Sequence, residues 1–316
     1  MKRIAVIGAG SFGKNHVRVV RENPRADLKF VVDADIERAR EHAGQARAVT
    51  DFREIVGWID AAIIAAPTIH HAAIGCALLE AGIDLLIEKP IASTLEEATR
   101  LVDTATRHGR ILQVGHLERF NPAVIALEPI ATLPLFFEIH RMSVFTLRSL
   151  DVDVVLDLMI HDLDIVLALA RGALKEIRAA GISVLSPKVD IANVRLEFDD
   201  GCIANLTASR VSTEKVRKLR LFQPRQYISV DYAKQAAAVF SVGGPEGISI
   251  KQLPIESAEP LKLQFDAFLD AVETRKPPKL DGATARKTLE IALAVLDKIK
   301  EHTSVVEKTL AAGWKP

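Results

Sequence analysis

The sequence predicts an α/β fold: a doubly wound parallel sheet over residues 1–120, then an α+β domain with an open, mostly antiparallel sheet over residues 121–316. Three observations carry this. Short, fully apolar strand-like runs alternate with helical runs as far as Glu118, the pattern of a parallel sheet covered on both faces. A glycine cluster, Gly8-Ala9-Gly10-Ser11-Phe12-Gly13, sits between the first strand and the first helix. After Pro122 the runs follow one another through tight turns, as antiparallel strands do.

Taken in order, Lys2–Ile7 is a β-branched strand, and Ser11–Glu22 has apolar residues at helical spacing (Phe12, Val17, Val20) stopped by Asn23-Pro24. Leu28–Asp33 is a second strand, Ile36–His42 a polar helix ended near Gly44, and a short strand lies near Ala46–Thr50. Asp51-Phe52-Arg53-Glu54 and Ser93-Thr94-Leu95-Glu96 read as capping boxes that start helices, the second running to Gly109. Ala61–Ala66, Leu85–Glu88 and Ile111–Gly115 complete six strands, with a helix over His70–Ala81 closed by Gly82. The boundary falls near Phe120–Pro122. Beyond it come a strand at Leu135–Met142, an apolar helix at Asp153–Ala170, and seven strand-like stretches between Glu176 and Leu253. Turns such as Asp199-Asp200-Gly201 and Gly243-Gly244-Pro245 separate them, and helices over Leu261–Thr274 and Ala283–His302 close the chain.

Composition narrows the function. The 316 residues carry 41 Lys+Arg and 41 Asp+Glu, so a dedicated nucleic-acid binder, with its basic excess, is not expected. Cys76 and Cys202 have no CxxC spacing and read as two buried free thiols. No apolar run reaches membrane-span length, and the short run after Lys2-Arg3 is a first strand rather than a signal peptide, which makes the cytoplasm the expected location. The histidines show no metal-ligand spacing, and no GxSxG elbow appears, so neither a metal centre nor a serine hydrolase is expected.

The glycine cluster is a GxGxxG in the right context, after a strand and at a helix start, which is the dinucleotide-binding Rossmann fingerprint. Gly8 permits the tight turn, Gly10 lets the backbone approach a pyrophosphate, and Gly13 lets helix and strand pack closely. Ser11 and Phe12 complete the turn, and the helix start offers unpaired N–H groups to the diphosphate. Asp33, 20 residues after Gly13, is placed to accept the adenosine ribose hydroxyls. It would repel a 2′-phosphate, and Ala34 and Asp35 rather than Arg or Lys follow it directly, which favours NAD over NADP.

Taken together with His16, Ala66-Pro67-Thr68 and His71, Glu88-Lys89-Pro90, Arg119-Phe120-Asn121-Pro122, and Asp157 with His161, this motif order resembles the glucose–fructose oxidoreductase/inositol dehydrogenase (Gfo/Idh/MocA) family. The likeness spans nearly the whole chain. It implies a Rossmann domain with Ala66, Pro67, Thr68, His71, Glu88 and Lys89 at the cofactor. It also implies NAD(P)-dependent chemistry on sugars or polyols, and homodimers or homotetramers. Within the family, the segments Val114–Pro122, Leu158–Asp164 and Ser209–Tyr232 look most like bacterial UDP-N-acetylglucosamine 3-dehydrogenases.

The residues themselves suggest how such chemistry would run. Asp157 and His161 lie four apart on an otherwise apolar helix, where ionisable groups need a partner or a use, and Asp153 and Asp164 extend the same stripe. Lys89, at the C-terminal end of a parallel strand, is placed to polarise a substrate hydroxyl. His161 serves as general base, and Asp157 orients it or binds a neighbouring hydroxyl. Arg119 has two readings, a substrate contact or a tie between the domains. Six basic residues from Arg210 to Arg225 read either as a solvated sheet face or as a diphosphate site. Three functions fit these residues: a nucleotide-sugar 3-dehydrogenase, a free-sugar or inositol dehydrogenase, and a regulator that binds NAD without turnover.

Overall fold

The structure, a computed structural model, describes residues 1–146, 152–243 and 247–313. The chain forms two compact units. The first comprises Met1–Leu117 and Glu259–Leu289, the second Glu118–Ala258 and Glu290–Pro316. Gly244 and Pro245, from one of the expected turns, lie outside the described residues.

The first unit is built on β1 (Lys2–Ile7), β2 (Ala26–Val32), β3 (Arg47–Val49), β4 (Ala61–Ile64), β5 (Asp84–Glu88) and β6 (Leu112–Gly115), all parallel, in the order β3-β2-β1-β4-β5-β6. The order reverses between β1 and β4, and ligands in such sheets bind beyond the strand ends at that switch. Helices α1 (Gly13–Glu22), α2 (Ile36–Ala43), α3 (His71–Glu80) and α4 (Leu95–Arg107) connect the strands. The β1, β4 and β5 side chains are almost wholly buried, which explains the absence of alternation in their sequences.

Two expected caps differ in detail. Asp51 accepts from Arg53 N (2.9 Å), but the segment it starts is a single 3-10 turn, Phe52–Ile55. At α4 the cap is Thr94, which accepts from Glu97 N (3.2 Å), while Glu97 reaches back to Ser93 N (3.1 Å), so the reciprocal pair sits one residue later than expected.

The division at 120/121 is replaced by a discontinuous one, because helix α7 (Pro260–Thr274) belongs to the first unit. Its Leu261, Phe265, Phe268, Leu269 and Val272 share one buried core with Val17, Val20 and Val31. Polar links fix its register: Asn23 Nδ2 donates to Asp266 (2.7 Å), and Arg25 pairs with Asp270 and Glu273 (both 2.7 Å). The chain then bridges Gln113 through Asp281.

The second unit holds an eight-stranded sheet. Its strands are β7 (Phe136–Val144), β8 (Leu174–Ile182), β9 (Ile191–Phe198), β10 (Ile203–Ser212), β11 (Val216–Gln223), β12 (Gln226–Asp231), β13 (Ala236–Val242) and β14 (Ile248–Gln252). The order is β14-β13-β12-β11-β7-β10-β9-β8, and every pairing is antiparallel except β7 with β10. One face packs on α6 (Ile160–Leu169), on the turn before it, and on the later part of α8 (Gly282–Gly313) around Phe137, Leu196, Leu206, Leu219 and Leu221. A short helix not expected from the sequence, α5 (Pro122–Leu127), is capped by Asn121, whose Oδ1 accepts from Ala123 N (3.0 Å).

The helix expected over Asp153–Ala170 is not uniform. Residues Val155–Met159 form a wide π-type turn that passes directly into α6.

Candidate active site

The glycine turn of the first unit is sterically dictated. Gly8 has φ +92°, and a Cβ there would come within 2.6 Å of the Ala65–Ala66 backbone. A Cβ on Gly13 would lie 1.8 Å from the Gly8 carbonyl oxygen, so only glycine lets α1 start against the turn. A Cβ on Gly10 would meet nothing within 4 Å; it would instead fill the space in front of the turn that a diphosphate would use. Helix α1 has no side-chain cap and no acidic residue in its first turn, which leaves its N–H groups suited to an anion. Ser11 and Phe12 are exposed at the rim of the turn.

Asp33 is brought to the same place. It is nearly buried, and its Oδ2 accepts from Ala9 N (2.8 Å) inside the glycine turn. Its Oδ1 accepts from Asp35 N (3.0 Å) and from Arg38 Nη1 (3.2 Å). Arg38 was not anticipated. It lies five residues beyond Asp33, on the α2 turn that Asp35 caps, so proximity along the chain did not mark it.

The ends of β4 and β5 supply the remaining residues. Ala66-Pro67-Thr68 leads into a 3-10 turn (Thr68–His70) and then α3. His71 is buried at 1 % exposure, and its imidazole lies between two carbonyl oxygens, Nε2 to Ala66 (2.8 Å) and Nδ1 to Pro90 (3.0 Å). Both ring nitrogens are thus engaged with backbone. Burial pushes its pKa below the ordinary value, against the pull of these carbonyls and of the Glu88 charge. Glu88 closes β5 with its carboxylate on His16 Nε2 (2.7 Å), and half-buried Lys89 follows.

In the second unit, Asp157 lies in the π-type turn and His161 in the first turn of α6, both half-buried while Val154, Val155, Met159, Ile160 and Leu163 around them are buried. Such wide turns are common at functional sites. The wider stripe expected along this helix does not form. Asp153 accepts from Val189 N (2.9 Å) in the loop before β9, and Asp164 is buried beside Arg119.

Arg119 has 12 % side-chain exposure and stands 3.4 Å from Glu128 and 3.6 Å from Asp164. Both carboxylates belong to the second unit, as Arg119 does.

The basic stretch does not converge either. Arg210 is buried on Asp190 (2.7 Å) and donates to the Val152 carbonyl (2.6 Å). Arg217 stands near Glu118 (3.5 Å), Arg220 pairs with Glu138 (2.9 Å), and Arg225 donates to the Val242 carbonyl (3.2 Å). Alternation along β11 sends Arg217 and Lys218 to opposite faces. One buried constellation escaped sequence reading: Arg141 donates to both Asp162 oxygens (2.7 and 2.8 Å) and to Glu118 (2.9 Å). Burial opposes the Arg141 charge, but the facing carboxylates outweigh it and hold the group protonated.

Residues 2–116 match the oxidoreductase family with an NAD-binding Rossmann fold, and residues 137–228 match the GFO/IDH/MocA C-terminal domain. The chain belongs to the Gfo/Idh/MocA family. It is 33 % identical over 301 residues to the UDP-N-acetylglucosamine 3-dehydrogenase of Acidithiobacillus ferrooxidans, covering 93 % of this chain and 96 % of that one. A solved structure of that enzyme superposes with a TM-score of 0.91 at 32 % identity, over 95 % of this chain and 98 % of the other. The scyllo-inositol 2-dehydrogenase (NAD(+)) of Bacillus subtilis is 26 % identical over 336 residues, covering 96 % and 95 % of the two chains. This family member is therefore an NAD-dependent oxidoreductase acting on CH–OH groups. Among the described residues, no helix is long and apolar enough to cross a membrane, and no cluster of three or more His, Cys, Asp or Glu could hold a metal ion.

Proposed function

We propose that the protein oxidises a secondary hydroxyl of a nucleotide sugar, UDP-N-acetylglucosamine at C3, to the keto sugar. The observation that carries this is the likeness to the Acidithiobacillus 3-dehydrogenase over nearly the full length of both chains. NAD, when bound, supplies the hydride acceptor. The glycine turn and the start of α1 hold its diphosphate, and Asp33 its adenosine ribose.

The substrate carbon loses its hydride, the hydroxyl loses its proton, and the C–O single bond becomes a carbonyl. His161 takes the proton on its imidazole. The Lys89 ammonium donates to the carbinol oxygen and stabilises the charge that develops there. Asp157, one turn before His161, orients the imidazole.

One observation favours a second reading, a free sugar or an inositol as substrate: Arg210, Arg220 and Arg225 are already engaged by the protein's own carboxylates and carbonyls. The test is a panel of UDP-N-acetylglucosamine, N-acetylglucosamine, glucose and myo-inositol with NAD, scored by kcat/KM and by identification of the keto product. The nucleotide sugar is expected to lead, and a higher value for inositol would replace this proposal with the second reading. The homodimer or homotetramer implied by family resemblance is checked by light scattering.

A further inference from the structure

Lys89 is flanked by two residues that are each held by a buried histidine. Before it, the Glu88 carboxylate takes the His16 Nε2 contact at 2.7 Å and lies over Gly115, where a Cβ would come within 2.7 Å of its Oε1. After it, the Pro90 carbonyl faces His71 Nδ1 at 3.0 Å, while the same ring holds the Ala66 carbonyl at the end of β4. His16 projects from α1, one turn beyond the glycine cluster, and its ring meets Phe12 of that cluster edge-on at 5.4 Å.

Neither histidine is a good choice for packing alone. His16 is fully buried, and its Nδ1 has no hydrogen-bond partner among the described residues, so one bond must offset burial of two polar atoms. A leucine would fill that space without the cost. His71 sits between two acceptors, although a neutral imidazole has only one N–H to give.

We propose that His16 and His71 are positioning residues for Lys89, holding the residue on either side of it, Glu88 by its carboxylate and Pro90 by its carbonyl, so that its ammonium is held at one point relative to the glycine turn. This rests on the assignment of Lys89 to the substrate hydroxyl made above. Neither imidazole need touch substrate or cofactor. Errors of about 1 Å in a catalytic group cost on the order of 10²-fold in rate, so a loosened Lys89 should appear in kcat.

The experiment compares His16→Leu, His16→Gln, His71→Leu and Lys89→Met in the full chain. It uses NAD and whichever sugar of the panel above is turned over fastest, with NADH binding and hydrogen exchange over residues 85–92 read in parallel. Gln is included because its amide can still donate to Glu88. Expected results are a kcat loss of about 10²-fold for His16→Leu, NADH binding little changed, faster exchange over 85–92, and recovery of most of the rate in His16→Gln. In the Lys89→Met background, His16→Leu should cost nothing further, because two residues acting through one group are not additive. The proposal is overturned if His16→Leu leaves kcat and exchange unchanged, or if it costs as much with Lys89→Met as without it. If His16→Leu does not fold, His71→Leu makes the same comparison with the same expectations. Full turnover in Lys89→Met alone would remove Lys89 from the chemistry, a failure of the underlying assignment rather than of the two braces.

Discussion

At the scale of single residues, burial decides what each ionisable group does. The Arg141 guanidinium is 2 % exposed, donates to Asp162 and Glu118, and lies 5.4 Å from the ring of Tyr232. Removing one partner of a buried pair leaves an uncompensated charge and costs about 3–5 kcal/mol. Arg141→Leu is therefore expected to lower the urea midpoint sharply, and an unchanged midpoint would show that the network carries no stability. His71 makes a pH-dependent contribution. Its folded pKa lies below the unfolded value, so the unfolded chain binds the proton more readily. Stability is thus full above about pH 6.5 and falls as the pH drops from there toward the folded value. Urea titrations at pH 7.5 and 5.5 should show the loss in the wild type and a smaller one in His71→Gln; equal losses would assign the acid sensitivity elsewhere. Cys202 is buried with its thiol pushed up to about 11 by that burial, which makes it unreactive, while Cys76 is only partly covered beside Thr104.

At the scale of elements, what was legible was local and periodic. Gly8 and Gly13 announce their turn because the backbone there tolerates little else, and the apolar runs of β1, β4 and β5 announce a sheet covered on both faces. Asp157 and His161 were legible as polar residues on an apolar helix. The π-type turn that carries Asp157 was not, because so short a widening is masked by the apolar residues on every side of the helix. Links across the sheet were also hidden: His16 and Glu88 are 72 residues apart and meet only because β5 ends beside α1. Helix α7 shows what a division near residue 120 leaves out. Its amphipathic pattern reveals that one face is buried but not in which core, and the answer lies in Phe265 and Phe268 packing with Val17 and Val20. Phe265→Ala is expected to cost about 3–5 kcal/mol of the first unit's stability. Weakened NADH binding together with a lowered melting temperature would confirm that α7 supports the cofactor-binding unit, and retention of both would contradict it.

At the scale of the whole molecule, a formal charge of zero concealed a strongly sorted interior. The basic run from Arg210 to Arg225 is spent largely on Asp190, Glu118, Glu138 and the Val242 carbonyl. The acids near His161 are divided between the Val189 N–H at Asp153, an ion pair at Asp162 and the surroundings of Arg119 at Asp164. Asp157 and His161 in the second unit, and Lys89 in the first, are half-buried. The central claim is that these residues oxidise a nucleotide sugar with NAD. It is tested most directly by mixing the purified protein with NAD and UDP-N-acetylglucosamine, following NADH formation, and identifying the sugar product, with His161→Ala in parallel. Formation of the 3-keto nucleotide sugar by the wild type, with turnover reduced at least about 10²-fold in His161→Ala, is the predicted result. Absence of NADH formation with this sugar while inositol or a free sugar is oxidised, or a His161→Ala enzyme that turns over normally, would contradict it.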